Sequence, residues 1–64
     1  ISDSTAIENA VRHAIASNNQ AVIDFKAGKE QALTYLVGQV MKATRGRADP
    51  NKVRDLLRKE LQGS

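Results

Sequence analysis

Apolar residues recur at Ile7, Ala10, Val11, Ala14 and Ile15, the spacing that draws one stripe along a helix. Thr5-Ala6-Ile7-Glu8 fits a capping box, in which the Thr5 and Glu8 side chains each bond the other's backbone N–H. Ser17-Asn18-Asn19 breaks the run. A short second helix is predicted from about Gln20 to Lys26, with Ala21, Val22 and Phe25 facing inward. Gly28 follows as the residue that takes the left-handed conformation beyond a helix end. A third helix is predicted from about Lys29 to Thr44, burying Leu33, Leu36, Val37, Val40 and Met41, with Thr44 continuing the line. Arg45-Gly46-Arg47-Ala48 forms the next turn. Asp49-Pro50 restarts the pattern, Asp as N-cap and Pro at the first helical position, where its missing N–H is harmless. The last helix buries Val53, Leu56, Leu57 and Leu61 and ends at Gln62-Gly63. There is no internal repeat and no low-complexity tract. The expected architecture is all-α, a compact bundle of about four short helices forming a single domain over residues 1–64.

Size and composition narrow the chemistry. A chain of 64 residues buries only about 60% of the surface its unfolded form exposes, so its core is small. With no cysteine, neither a disulfide nor a thiolate metal site can supplement that core. The apolar residues are mostly Ala, Val, Leu and Ile, with Phe25 and Tyr35 the only aromatics, a composition that suits packed helices. No apolar run approaches the roughly 18 residues of a membrane span. The chain opens at Ile1 without an initiator Met or a signal-peptide pattern, and is expected to be a fragment of a larger subunit.

Charge is unevenly spread. Residues 1–41 balance to −1, whereas Lys42, Arg45, Arg47, Lys52, Arg54, Arg58 and Lys59 give residues 42–59 a balance of +5 against Asp49 and Asp55. Such asymmetry points to a polyanionic partner. Within the third helix, Gln31, Tyr35, Gly38, Lys42 and Arg45 project within roughly 80° of one another at about 100° per residue, opposite the Leu/Val stripe. Gly38 is the odd member, because a glycine in a helix interior costs about 1 kcal/mol relative to Ala. Close approach by a bulky partner would explain it. A packed neighbouring helix would explain it too, although its place away from the apolar stripe weighs against that. Gly46 and Arg47 extend the basic surface past the helix end. Lys52, near the start of the last helix, sits where the helix dipole disfavours a cation. Arg54 and Arg58 repel each other slightly unless an anion lies between them. Lys59 is expected to pair with Asp55.

Two stretches carry a family resemblance. Asp24-Phe25-Lys26-Ala27-Gly28-Lys29, followed by Leu36-Val37-Gly38-Gln39-Val40-Met41-Lys42-Ala43-Thr44-Arg45-Gly46-Arg47-Ala48-Asp49-Pro50, closely resembles the tail domain of the B subunit of aspartyl/glutamyl-tRNA amidotransferases, the GatB/YqeY family. The resemblance runs from about Ile7 to Leu61. Phe25 stands where the family often has Tyr, and Asp49 where Asn is usual; both keep the physical role. The resemblance implies a domain that contacts the outer corner of tRNA, with no catalysis of its own. The parent subunit would work with A and C subunits and use ATP and Mg to amidate Glu-tRNA(Gln) or Asp-tRNA(Asn). It implies a cytoplasmic or organelle-matrix location. Carried onto this chain, the contact surface includes Gly38, Gln39, Lys42, Arg45 and Arg47, which overlaps the face reached from helical geometry. Tyr35, Gly46 and Lys52 join it from that geometry and from the charge pattern.

The same residues admit other readings. His13 has Arg12 beside it but no paired nucleophile, so it is expected to be surface, and this fragment is expected to be no enzyme. A protein-interaction module would dock a partner helix or a synthetase through the third-helix face. A DNA-binding helix-turn-helix fits poorly, because no helix shows Asn, Gln, Ser and Arg at base-reading spacing.

Overall fold

The computed structural model describes residues 3–62, and side chains from Thr5 onward. Four helices follow one another: α1 (Asp3–Ser17), α2 (Asn19–Lys26), α3 (Glu30–Ala43) and α4 (Pro50–Gln62), and no strand occurs among the described residues. The expected all-α bundle is what forms. Helix α3 is the central element and packs against the other three, while α1 also touches α2 and α4.

The core is assembled from the predicted stripes. Val11 of α1, Leu36 and Val40 of α3, and Val53 and Leu57 of α4 are fully buried, with Ala14, Ala21, Val22, Leu33, Val37 and Leu61 around them. Burying one Val or Leu side chain contributes roughly 1.5–3 kcal/mol, which makes this cluster the main source of stability. Ile7, Ala10, Ile15, Phe25, Met41 and Leu56 are half-buried against it. Two buried residues lie outside the predicted stripes, Ala32 on α3 and Ala48 in the turn before α4.

The helix ends differ from expectation in instructive ways. Thr5 lies inside α1, downstream of Asp3, so the Thr5–Glu8 pair does not mark the helix start. Each residue added to a helix gains a backbone hydrogen bond, so a possible cap does not stop extension past it. Between α1 and α2, only Asn18 is outside a helix, not the whole Ser17-Asn18-Asn19 stretch. Its N–H donates to the Ala14 carbonyl at 3.0 Å, and its carbonyl accepts from Val22 N–H at 3.2 Å. Its side-chain Nδ2 also donates to the Ala14 carbonyl at 2.9 Å.

Helix α2 closes as predicted on Gly28, whose φ is 102°. Gly28 N–H donates to the Phe25 carbonyl at 2.9 Å and Lys29 N–H to the Asp24 carbonyl at 3.0 Å, the paired bonds of a Schellman ending. Helix α3 closes with the same pattern: Arg45 N–H to Lys42 carbonyl at 3.2 Å, and Gly46 N–H to Met41 carbonyl at 2.8 Å. Here the left-handed place is held by Arg45, φ 57°, with Gly46 next at φ 75°. The predicted restart at Asp49-Pro50 forms, with Asp49 Oδ1 accepting the Asn51 N–H at 2.9 Å. Asp55 and Lys59 are both exposed and make no ion pair among the described residues, so the expected pairing does not form.

Candidate nucleic-acid interface

Helix α3 sets the surface by its own periodicity. With Ala32, Leu33, Leu36, Val37 and Val40 turned into the core, the opposite arc carries Gln31, Thr34, Tyr35, Gly38 and Lys42, all exposed. Tyr35 keeps 52% of its surface in solvent. A Cβ built on Gly38 meets nothing within 4 Å, so no neighbouring helix of this domain accounts for the glycine. The crest of α3 is open where the backbone is barest.

Arg45 departs from its predicted place. The helix ends at Ala43, so the 100° rule that aligned Arg45 with Lys42 does not extend to it. It belongs instead to the turn with Gly46 and Arg47, and all three are exposed. Lys52 is exposed on the first turn of α4. Arg54, two residues further, projects about 160° away from Lys52, so the cations of α4 do not share one face. Arg58 lies at the far end of α3, beside Gly28 and Glu30. None of the side-chain hydrogen bonds among the described residues engages Lys42, Arg45, Arg47 or Lys52, which leaves those charges free for a partner.

Flanking the crest, one depression lies between α3 and α2, closed by the end of α1, and two lie between α3 and α1. Tyr35 and Gln31 share one with Ser17, Asn18, Asp24 and Lys29. Gln39, half-buried, and Lys42 share a second with Ala10, His13, Ser17 and Asn18. Arg47 shares a third with Ala6, Ile7, Ala10, Ala43 and Thr44. His13, Ser17 and Asn18 are neighbours of this surface that sequence reasoning missed. The α1 periodicity shows His13 as an ordinary exposed position and Ser17-Asn18 as a break, and only the packing of α1 on α3 brings them beside Lys42. Among the described residues, no group of three or more His, Cys, Asp or Glu gathers as a metal site. No helix among the described residues is long and apolar enough to cross a membrane.

Exposed glycine, an aromatic side chain, unpaired cations and amide groups on one side suit an anionic polymer better than a small molecule. Cations supply salt-dependent attraction to phosphates, and glycine lets a bulky backbone come close.

Comparison with known proteins adds a family. The model of the GatB domain (GatB/Yqey) matches residues 1–61. The chain is 56% identical over 61 residues to the B subunit of the aspartyl/glutamyl-tRNA(Asn/Gln) amidotransferase of Nitrosospira multiformis, covering 95% of this chain and 12% of that protein. It is 56% identical over 63 residues to the protein of the same name from Laribacter hongkongensis, covering 98% of this chain and 13% of that protein. A Clostridium acetobutylicum relative, the B subunit numbered 2 in that organism, is 51% identical over 61 residues, covering 95% of this chain and 13% of that protein. The chain thus spans only about an eighth of the length of these relatives. No solved structure gives a significant match.

Proposed function

The chain belongs to the GatB/Yqey family, and we propose on that basis that it is the tRNA-binding tail of an amidotransferase B subunit. In this reading the crest of α3 and the following turn meet the outer corner of Glu-tRNA(Gln) or Asp-tRNA(Asn). The parent subunit, with A and C subunits, ATP and Mg, carries out amidation elsewhere, in the cytoplasm or an organelle matrix. This domain selects and holds the RNA without taking part in the chemistry.

The observation that carries the reading is Gly38. It lies in the middle of a helix, exposed, with open space where a side chain would be. Inside this domain an alanine would fit and would stabilise the helix by about 1 kcal/mol. A partner whose backbone packs there supplies the reason for glycine. Folded RNA is recognised largely by shape, through phosphates and 2′-hydroxyls, and a bare helix crest beside Tyr35 and Lys42 offers both fit and charge. Few phosphate contacts imply weak binding by the chain alone, strengthened by tethering in the parent enzyme.

The test is titration of tRNA into the chain, followed by fluorescence anisotropy. Gly38→Ala is expected to raise stability by about 1 kcal/mol while weakening tRNA binding. Lys42→Ala should weaken binding and flatten the log–log salt dependence by about one unit. A Gly38→Ala chain that is more stable and binds tRNA unchanged rules out contact at the crest.

A further inference from the structure

The three depressions beside α3 are segments of one groove. The middle one, at Lys42, shares Ser17 and Asn18 with the Tyr35 segment, and Ala10 and Ala43 with the Arg47 segment. The groove therefore follows α3 from Gln31 to Ala43, about 18 Å at the helical rise of 1.5 Å per residue. Helix α1 runs antiparallel along it from Ala6 at the Arg47 end to Ser17, beyond which Asn19, Gln20, Ala21 and Asp24 of α2 line the Tyr35 end.

Resting on the tRNA-binding reading above, we infer that this groove holds an RNA strand, with His13 and Ser17 of α1 and Asn18 of the α1–α2 joint forming its second wall. Charge favours this occupant. The middle and Arg47 segments include Lys42 and Arg47 and no carboxylate, although the chain contains seven acidic residues. A carboxylate enters only at the Tyr35 end, where Asp24 is accompanied by Lys29. Side-chain chemistry favours it as well. His13, Ser17 and Gln39 offer hydrogen-bonding groups of the kind that meet phosphate and ribose oxygens. Asn18 spends its amide N–H on the Ala14 carbonyl, which orients Oδ1 as an acceptor for a 2′-hydroxyl.

Shape and polarity decide against a docked protein helix. Such a groove would be lined by large apolar side chains. Among the described residues the exposed large hydrophobics are Ile23 and Tyr35, and of these only Tyr35 lines the groove, with half-buried Ile7 the one large aliphatic at its Arg47 end. Small residues, Ala6, Ala10 and Ala43, make up much of the Arg47 half and leave room for a backbone to lie in it. At about 3.4 Å per nucleotide along a strand, 18 Å accommodates about five.

The experiment combines amide-shift mapping of the isotope-labelled chain against tRNA with binding by His13→Glu and Gln62→Glu. Both substitutions add a carboxylate at an exposed position, but Gln62 lies in a depression beside Arg58 that shares no residue with the groove. The expected result is that His13, Ser17 and Asn18 respond together with Gly38 and Lys42. His13→Glu should weaken binding about threefold to tenfold at low ionic strength, against less than about twofold for Gln62→Glu. Shifts at Gly38 and Lys42 with α1 silent, and equal affinities for the two variants, would overturn the groove and leave the α3 contact standing. Absence of tRNA binding by the unsubstituted chain would overturn both.

Discussion

Arg45 and Gly38 are the two places where the chain keeps a residue that its own domain does not ask for. Gly28 and Arg45 occupy equivalent places in two helix endings with the same hydrogen-bond pattern, yet only one is a glycine. A left-handed backbone costs a residue with a Cβ about 1–2 kcal/mol. The register that puts Arg45 there is set around it. At the end of α3 the Thr44 Oγ1 donates to the Val40 carbonyl at 3.0 Å, while buried Ala48 anchors the far side of the turn. Arg45→Gly is therefore expected to stabilise the chain by about 1 kcal/mol, a rise in Tm of about 4–8 °C for a domain of this size. On the tRNA-binding reading the same variant binds RNA more weakly, and thermal unfolding alongside a binding titration checks both. Stabilisation without loss of affinity would remove Arg45 from the interface. The sequence showed a basic turn with a glycine in it; which residue took the left-handed place depended on where α3 stopped, and that is a matter of packing.

Helix α4 shows how a local signal becomes an element. Asp49 supplies the cap, Pro50 starts the helix, and Val53, Leu57 and Leu61 lock it against α3 and α1. Asp49→Ala should cost about 0.5–2 kcal/mol, whereas Asp49→Asn, which keeps the accepting oxygen, should change stability by only a few tenths. Urea unfolding of the two variants measures the difference. Equal losses would mean that the carboxylate charge, not the hydrogen bond, starts α4. Such element-level features were legible because caps and apolar spacing are encoded within a few residues. Ala48 was not, since a turn has no period to read, and its burial depends on α1 covering it. His13 was hidden for the same reason. Its neighbours Gln39 and Lys42 lie more than twenty positions away in the chain, and only helix packing brings them together.

Across the whole molecule, basic residues collect where α3 ends and α4 begins, but the fold distributes them. Lys42 faces the groove, Arg45 and Arg47 sit in the turn, and Arg58 lies at the opposite end of α3. The uneven spread of charge pointed to a polyanionic partner, whereas only the packing of helices shows which cations lie near one another. The joint at Asn18 has a consequence for motion. One residue's amide closes α1 while its carbonyl opens α2, so neither end can fray without loosening the other. Hydrogen exchange is expected to report a single cooperative unit there, the amides of Asn18 and Val22 opening with similar free energies. Widely different protection would show two independent ends. If they open together, a ligand that steadies Ser17 and Asn18 would also quieten the last residues of α2, Phe25 and Lys26, which line no part of the groove.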